Sequence, residues 1–555
     1  MISRLLTILL FGGVFLACSS KESEKFGEDI STAQDQILKG KAIFEQECST
    51  CHNFNANAIG PNLSGLTRQV ESSWIRDFIK NPQAKLEAQD ARALELLAKY
   101  KSVMPSFAHL GDEKIGSLLS YLHTFEMVIP DTDADAVVNL IEPAIQDSGI
   151  RLELEFVAQL PASDTVPPMA KMTKMEPEAV SKRLFINDQR IGLYEMIEGK
   201  PVLYMNLLQL RPDLVSKPGW ATGLGSFAFH PEFVNNGLFY TAHTEPGGTK
   251  PSDVGYTDSL QVFMQWVLTE WKATNPAAKT FEGIGRELLR VDNPSQAHGM
   301  QELTFNPNAK KGDEDYGLLY IGYGDGASAE RGFPNIAHNQ ARQLYTGILR
   351  IDPAGKNSMN GQYGIPPSNP FAKQEGKAGE VYAYGFRNPN RIFWDQEGRM
   401  YATDIGQHTI EELNLVQPGK FYGWPIREGT FVINPYGSFR KVFPLPEDDH
   451  KLGITYPLIQ MEHDELAAIF AGYIMPYGPL KGKFLFGDIL SGRLFFADLN
   501  QKPSPEVKSL KVIFEGKEMT MEELVGGRVD LKFGIDAEKR VYIMSKNQGK
   551  IYRIK

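Results

Sequence analysis

The sequence predicts two folded units of different class: a small all-α domain at residues 33–128, then an all-β propeller at residues 151–555. Up to about residue 128, apolar residues recur at the spacing of helices that bury one face. From about residue 150, short alternating runs lie between turn residues, which is typical of strands. The length of 555 residues also favours more than one domain.

The N-terminal segment MISRLLTILLFGGVFLACSS has one positive charge at Arg4, an apolar run and small residues before Cys18. This pattern is typical of a secretory signal. It resembles a bacterial lipoprotein signal at residues 1–17, cleaved before a lipidated Cys18. The alternative is an uncleaved anchor, but the apolar run is shorter than the roughly 20 residues that span a bilayer. Residues 18–32 are polar, and we expect a flexible tether there.

The composition is typical of a large soluble protein, with 42% hydrophobic and 23% charged residues. No second apolar run is long enough to span a membrane. The formal net charge of −10 argues against a nucleic-acid partner, because phosphate backbones attract basic surfaces.

Cys48, Cys51 and His52 form a C-x-x-C-H motif in the stretch QECSTCHNF. The chain has three cysteines, too few for a four-thiolate zinc or iron–sulfur site once Cys18 is set aside. A thioredoxin-type pair needs a βαβ setting. The motif therefore predicts covalent haem, with two thioether bonds and His52 as an iron ligand. The alternative is a surface loop with a redox-active thiol pair.

Met104, which precedes a proline, is the predicted second iron ligand. A thioether ligand raises the potential of haem iron, as suits electron transfer. The sequence leaves three alternatives open: Met127, His109 and His123. His123 falls on the apolar face of an amphipathic helix, which favours a packing role.

The order of haem motif, Gly-Pro loop, Met-Pro and closing helix resembles a class I cytochrome c over residues 33–128. The resemblance implies haem c, and a hydrogen bond from the ring of His52 to the carbonyl of Pro61. Such a bond would fix the tautomer of the iron ligand. Residues 129–150 are predicted to form a linker, which begins within the Pro- and Asp-bearing stretch MVIPDTDADAVVN at residues 127–139.

The later part of the chain repeats a loose pattern of turn residue, aromatic residue, alternating strand and second turn. It recurs in KRLFINDQ, IGLYEMIEG, GLFYTAHTE, GLLYIGYGD, GRMYATDIG, GKFLFGDIL, GRLFFADLN and KRVYIMSKNQGKIYRIK. Such repetition is typical of the blades of a β-propeller. The alternative architecture is a pair of large β-sandwiches.

A series of longer motifs in this part resembles the glucose/sorbosone dehydrogenase family, the soluble PQQ-dependent sugar dehydrogenases. In chain order they are GLGSFAFHPEFVNNGLFY, HGMQELTF, GLLYIGYGDG, TGILRIDPAG, GEVYAYGFRNPNRIFWD, DIGQHTIEELNLVQPGKFYGWP and FGIDAEKRVYIMSKNQGKIYRI. The resemblance covers nearly all of the large domain and implies a six-bladed propeller. It is stronger evidence for fold than for activity.

The resemblance implies roles for three residues. His298, in QAHGMQELTF, stands where the family's catalytic histidine takes a proton from the sugar hydroxyl, a role suited to its ordinary pKa. Arg387 and Asn388, in GFRNPN, match the pair that contacts PQQ. A guanidinium suits a cofactor with three carboxylates. The alternatives are a polar surface histidine and an arginine that orders a loop.

DIGQHTIEELN matches the family's calcium loop, in which the carbonyls of Gly406 and Gln407 would bind the calcium ion that holds PQQ. Glu412 and Tyr422 stand at positions associated with this region or with a second ion, as does Glu411. The alternative for two adjacent glutamates is a solvated surface.

Part of the family pattern is missing. The PQQ-contacting glutamine corresponds to about Ala221, and a later lysine falls near Leu490. Of the Arg-x-Arg pair near the end, Arg528 remains as a PQQ contact, while the second arginine is replaced by Asp530. Fewer cations would weaken the binding of a tricarboxylate.

Two hypotheses follow. The first is a quinohaemoprotein that oxidises an aldose or related alcohol with PQQ and calcium, and passes electrons to its own haem and then to a downstream cytochrome or oxidase. The second is a degenerate propeller that binds carbohydrate or protein beside an electron-transfer cytochrome. Either protein would be lipid-anchored in the bacterial cell envelope, on the periplasmic or outer-surface side, because covalent haem is attached outside the cytoplasm.

Overall fold

The computed structural model describes residues 27, 29–49, 51–52, 54, 60–100, 103–125, 137, 140–141, 144–217, 221–256, 261–331, 333–435 and 439–555. The predicted signal peptide and Cys18 lie outside the described residues, as do Met127 and most of the predicted linker. Among the helices described, none is both long and apolar enough to cross a bilayer.

The N-terminal part is helical. Its helices are α1 Gln34–Ile43, α2 Ser72–Lys80, α3 Pro82–Glu87, α4 Ala91–Tyr100 and α5 Gly111–Leu122. A π-helical turn, Phe44–Cys48, continues α1 into the C-x-x-C-H motif. Pro82, which follows α2, begins α3, because its fixed φ suits a first helical position and the side chain of Asn81 accepts from the N–H of Ala84.

Helices α1 and α5 cross at close range. A Cβ atom on Gly40 of α1 would lie 1.9 Å from the carbonyl oxygen of Ser117 on α5, so only glycine fits this crossing. The core of the helical part is an apolar cluster centred on Phe44, Ile75 and Leu119.

The rest of the chain is almost all strand. Its strands are β1 Asp147–Gln159, β2 Met172–Pro177, β3 Leu184–Asp188, β4 Gly192–Ile197, β5 Lys200–Asn206, β6 Leu224–Phe229, β7 Leu238–Pro246, β8 Met264–Ala273, β9 Gly283–Asn293, β10 Met300–Phe305, β11 Leu319–Tyr323, β12 Gly347–Ile351, β13 Val381–Tyr384, β14 Pro389–Trp394, β15 Met400–Asp404, β16 Ile410–Val416, β17 Arg427–Glu428, β18 Phe431–Ile433, β19 Val442–Phe443, β20 Ile459–Glu462, β21 Ile469–Ile474, β22 Phe484–Asp488, β23 Leu494–Ala497, β24 Val507–Phe514, β25 Lys517–Met519, β26 Leu531–Ile535, β27 Val541–Ser545 and β28 Lys550–Ile554. Short helices interrupt them: α6 Leu207–Leu210, α7 Phe233–Asn236, α8 Pro334–Ala337 and α9 Met521–Val525. All eight runs predicted as strands contain strands.

Apart from β17–β19 and β25, the strands of the described chain fall into six groups of four. Three groups are separate sheets: β6–β9, β10–β13 and β14–β15–β16–β20. The other three follow one another in a long sheet ordered β21–β22–β23–β24, then β1–β28–β27–β26, then β2–β3–β4–β5. β1 pairs antiparallel with β28, with Phe156 opposite Tyr552, so the first and last strands share one group.

The first strands of the groups form a ring. β2, β6, β10, β14, β21 and β26 contact one another in this order, and β26 contacts β2 in turn. β2 and β26 run parallel, with Met175 opposite Gly534. Because neighbouring strands within a group are antiparallel, the loop after each second strand returns to the end where the first strand begins. We call this the first-strand end; the residues that lead into the six first strands there are Lys171, Thr222, His298, Arg387, Ala468 and Asp530.

The predicted linker is not wholly separate from the β domain. β1 begins at Asp147, inside the predicted range. Val137 donates its N–H to the carbonyl of Val442 at 3.0 Å, and Leu140 packs near Trp424. The described residues of this segment therefore lie along the surface of the β domain.

Candidate functional site

The ring of His52 is held in a fixed orientation. Its Nδ1 atom lies 2.8 Å from the carbonyl oxygen of Pro61, which confirms the predicted hydrogen bond. A Cβ atom on Gly60 would lie 2.3 Å from Cε1 of the ring, so glycine is required beside it. Burial lowers the pKa of His52, although the bond to Pro61 acts in the opposite direction. A neutral, oriented imidazole is the form that binds a metal.

Cys48 and Cys51 are free thiols with no disulfide between them. Burial raises the pKa of Cys48 well above its ordinary range. Burial also raises the pKa of Cys51 to about 11, with a lowering effect from Arg528 and raising effects from Glu330 and Asp530. Those three residues belong to the β domain, so Cys51 lies close enough to the β domain for its charges to shift the pKa of the thiol.

Met104 lies in the same apolar cluster as Cys48. The other described candidates are engaged elsewhere: Nε2 of His109 lies 3.5 Å from Glu47, and Nδ1 of His123 lies 2.9 Å from Oγ1 of Thr67. Two free thiols, an oriented imidazole and a thioether beside one apolar cluster fit a covalent haem.

In the β domain, His298 is buried beside an aspartate at the first-strand end. Its Nδ1 lies 2.7 Å from Oδ1 of Asp325, and Trp424 donates from Nε1 to Oδ2 of Asp325 at 3.0 Å. A carboxylate only accepts, so the proton of the imidazole lies on Nδ1 and Nε2 is left as an acceptor. The backbone φ of His298 is +54°, an uncommon value that fixes where the ring leaves the chain.

The backbone of the Arg387–Asn388 pair is held by Asp404. Its carboxylate accepts from the N–H groups of Arg387 at 2.8 Å and Asn388 at 2.6 Å. Within the described chain, the buried Oδ1 atom of Asn388 has no hydrogen-bond partner. A buried polar atom without a partner is costly unless a ligand or water satisfies it.

The guanidinium of Arg387 joins two loops. It donates from Nε to Oε1 of Gln407 at 2.5 Å, from Nη1 to the carbonyl of Gly406 at 2.6 Å, and from Nη2 to Glu330. Burial disfavours its charge, but Glu330 and Asp325 more than offset this and raise the pKa of Arg387.

A carboxylate orders the predicted calcium loop. Oε1 of Glu428 accepts from the N–H groups of four successive residues, Gln407 to Ile410, at 2.8 to 3.0 Å. The Gly406 carbonyl, expected to face calcium, accepts instead from Arg387. No group of three or more His, Cys, Asp or Glu side chains that could hold a metal ion occurs among the described residues.

The structure gives Glu412 and Tyr422 different partners. Glu412 accepts from the N–H of Gly429 at 2.7 Å and from Asn414 at 2.9 Å, and burial raises its pKa to about 7. The hydroxyl of Tyr422 donates to the carbonyl of Leu415 at 2.8 Å. In the described contacts, neither side chain bonds to Gly406 or Gln407.

Arg528 lies where the two domains meet. It donates from Nε to Oδ1 of Asp530 at 2.7 Å and from Nη1 to the carbonyl of Val103 at 3.2 Å. Val103 immediately precedes Met104. A small cavity of about 70 Å³ opens at the same interface, between Pro105 and Phe107 on one side and Lys171 on the other. The helical domain therefore covers the first-strand end beside His298 and Arg387.

The sequence analysis missed three buried lysines at this end: Lys171, Lys532 and Lys546. One signal could have found Lys532, because it follows Arg528 and Asp530 at a spacing of two residues in the stretch RVDLK. No local pattern marks Lys171 or Lys546, which join the site only when the ring closes.

Comparison with known proteins assigns both parts of the chain. A family model described as Glucose / Sorbosone dehydrogenase matches residues 183–553. A model described as Cytochrome c matches residues 37–126.

The chain is 29% identical to HIPL2 protein of Arabidopsis thaliana over 50% of this chain and 43% of that protein. It is 27% identical to quinoprotein glucose dehydrogenase B of Acinetobacter calcoaceticus over 43% of this chain and 48% of that protein. The chain thus spans about half the length of the curated relatives it matches. The apo crystal structure of the soluble aldose sugar dehydrogenase of Escherichia coli matches with a TM-score of 0.52 and 15% identity, covering 73% of this chain and 99% of that one. At that identity the match shows the fold alone.

Proposed function

Because the chain belongs to the glucose/sorbosone dehydrogenase family and has an N-terminal cytochrome c domain, we propose that it is a quinohaemoprotein dehydrogenase. It oxidises an aldose sugar or related alcohol with PQQ and passes the electrons to its own haem c. One observation carries the proposal: the helical domain, with its free Cys51 and Met104, covers the end of the β domain that holds His298 and Arg387.

The β domain is a six-bladed propeller in this proposal. Six groups of four strands, a ring of six first strands and a group shared by β1 and β28 all support it. A propeller gathers the leading loops of its blades at one end of the axis, where a cofactor can meet residues from several blades.

Haem would be held by Cys48 and Cys51 through thioethers, with His52 and Met104 on the iron. When bound, it supplies a one-electron carrier. The protein's contribution is to orient His52 through Pro61 and to keep the site apolar and dry.

PQQ would be held beside Arg387 and Asn388, and calcium by the carbonyls of Gly406 and Gln407. The unsatisfied Oδ1 of Asn388 and the carbonyl-rich loop fit these groups. When bound, PQQ supplies a two-electron oxidant. In this structure the Gly406 carbonyl accepts a hydrogen bond from Arg387.

His298 acts as the general base. Its Nδ1–H is directed at Asp325, so Nε2 is free to take a proton from the substrate. That proton belongs to the hydroxyl group on the carbon that loses hydride. Asp325 stabilises the imidazolium that forms, and Trp424 holds Asp325 in place. Burial of the couple excludes water from the proton transfer.

A second candidate function is a binding propeller that has lost catalysis, attached to an electron-transfer cytochrome. It is favoured by the replacement of the family's cationic residue by Asp530 and by the guanidinium of Arg387, which already bonds to Glu330, Gln407 and Gly406.

The proposal includes the cell envelope. A signal at residues 1–17 and a lipidated Cys18 would anchor the protein on its periplasmic or outer-surface side, with a cytochrome or oxidase as the next electron acceptor. Mass spectrometry of the N-terminal peptide from membranes tests this, because an unmodified Cys18 would contradict it.

The deciding experiment uses haem-loaded protein that starts at Ser19, with calcium and PQQ. A panel of aldoses and alcohols is offered, and reduced haem is followed by its absorption. We expect reduction that requires PQQ and that slows at least about 100-fold in His298→Ala, because a general base contributes that much. His450→Ala, an exposed histidine, is the matched control. No haem reduction, together with no PQQ binding in a titration, would leave the binding propeller.

A further inference from the structure

Three buried lysines stand together at the first-strand end. Lys171, Lys532 and Lys546 are 2%, 7% and 6% exposed. Lysine is almost never this buried unless it is paired. Lys171 leads into β2, Lys532 lies in β26, and Lys546 follows β27, so three different elements contribute them.

Hydrogen bonds join these elements into one cluster. The N–H of Gln189 donates to the carbonyl of Lys171 at 3.1 Å, and Nζ of Lys546 donates back to Oε1 of Gln189 at 3.0 Å. The N–H of Lys546 donates in turn to the carbonyl of Asp530 at 3.3 Å. Asp530 leads into β26, which carries Lys532, so the three lysines lie on segments that are joined to one another.

Among the described contacts, the ammonium groups of Lys532 and Lys546 have uncharged partners. Lys171 donates to the carbonyls of Ser216 and Thr222, at 3.1 and 3.3 Å. Nζ of Lys532 lies 3.8 Å from the centre of the Phe470 ring. Lys174, in the same ring of strands, differs: its Nζ lies 2.6 Å from a carboxylate oxygen of Glu302.

Cations outnumber carboxylates around the cluster. The charged groups that act on the three lysines are Arg190, Lys217, Arg391, Arg528, Asp188 and Asp530. Asp530 is already bonded to Arg528, and Asp188 accepts from Ser163. Burial lowers the pKa of Lys546 to about 8 and also lowers the pKa values of Lys171 and Lys532, so the buried charges destabilise the fold.

We propose that Lys171, Lys532 and Lys546 form the carboxylate-binding part of the PQQ site in this chain. They take the place of the family cations that are absent at Leu490 and Asp530. This inference rests on the proposed function. A ligand with several carboxylates suits the cluster because it brings counter-charges to the buried ammonium groups of Lys532 and Lys546.

The test is equilibrium binding of PQQ to the haem-loaded full chain, with calcium, at low and high salt. Lys532→Met and Lys546→Met should each raise the dissociation constant about tenfold or more, and should make its salt dependence shallower. Lys546→Arg, which keeps the charge, should restore most of the affinity. Lys539→Met, an exposed lysine in the turn at the opposite end of β26, is the matched control.

Thermal unfolding of the ligand-free variants is a second readout. A buried ammonium without a counter-charge destabilises the fold, so Lys532→Met should melt at a higher temperature than the wild type. Added PQQ should raise the melting temperature of this variant by less than it raises that of the wild type. Unchanged affinity in both methionine variants overturns the proposal. So does weaker binding together with a lower melting temperature, because the lysines would then only support the fold.

Failure of this inference differs from failure of the proposed function. If the wild type binds PQQ, the lysine variants bind it weakly and no sugar reduces the haem, the dehydrogenase proposal fails and the inference stands. If the wild type is an active PQQ enzyme and the variants bind normally, only the inference fails. If the wild type binds no PQQ, both fail.

Discussion

At the scale of single residues, the proposed catalysis in the β domain depends on the pair formed by His298 and Asp325. Asp325 fixes the tautomer of His298, and Trp424 fixes Asp325. His298 is found by its motif, but Asp325 comes from the loop after β11 and is recognised only in the structure. The sequence thus indicates the base, while the tertiary fold supplies the group that determines which nitrogen carries the proton.

The lowered pKa of Lys546 predicts that the free energy of unfolding depends on pH. Its pKa falls from 10.5 to about 8 on folding, because burial disfavours its charge. The unfolded chain therefore holds the proton more tightly between these pH values, and unfolding becomes harder as pH rises through them. The penalty is fully present below about pH 8 and absent above about pH 10.5.

We expect the free energy of unfolding of Lys546→Met, measured with chemical denaturant, to exceed that of the wild type most at neutral pH. The difference should shrink as pH rises from 8 to 10.5. Lys539→Met should show no such trend. A difference that is constant with pH would mean that the effect of Lys546 is not its buried charge.

At the scale of elements, the loop after the C-x-x-C-H motif is built around His52. Gly60 lies against the ring face, and Pro61 holds its Nδ1. Neither contact involves a helix, so the loop itself orients the imidazole that is proposed to bind the iron.

Gly60→Ala should displace His52, because the added methyl group would lie 2.3 Å from Cε1 of the ring. We expect an altered reduction potential and an altered haem spectrum, measured by redox titration and absorption. Gly116→Ala in α5 is the control, since its methyl group would meet Arg76 at an ordinary 3.5 Å. Unchanged values in Gly60→Ala would show that His52 is not held at the iron by this loop.

At the scale of the whole molecule, the contact between the domains joins the proposed haem site to the first-strand end. Arg528 donates to the carbonyl of Val103, beside Met104, and stays paired with Asp530 in the propeller loop. The sequence assigned Arg528 to PQQ, while the structure puts its guanidinium at the domain interface. A contact with PQQ and a contact between the domains are both compatible with its place at the first-strand end. The two roles predict different defects in a variant of Arg528.

Arg528→Gln should slow haem reduction about tenfold or more in stopped-flow experiments, because a small displacement of the Met104 loop changes the contact between donor and acceptor. Activity with a soluble dye as electron acceptor should persist. Arg540→Gln, whose guanidinium pairs with Asp536 at the opposite end of β26, is the control. If the variant loses both its activity with the dye and its affinity for PQQ, Arg528 is instead a contact of the cofactor.

The sequence predicted the strands well, because each carries its alternation and turn residues within about ten positions. It was less informative about α3, since Pro82 is compatible with both the end of one helix and the start of the next. It also could not show that β1 joins β28, because pairing between distant strands leaves no local pattern.

The sequence by itself determined the C-x-x-C-H motif, Met104, His298 and the Arg387–Asn388 pair, because each role depends on residue type within a short motif. Only the tertiary structure decided that the helical domain covers the first-strand end and that Lys171 meets Lys546 there. Lys171 comes from the beginning of the β-domain sequence and Lys546 from its end. These contacts form when the ring of strands closes, and no short-range spacing encodes that closure.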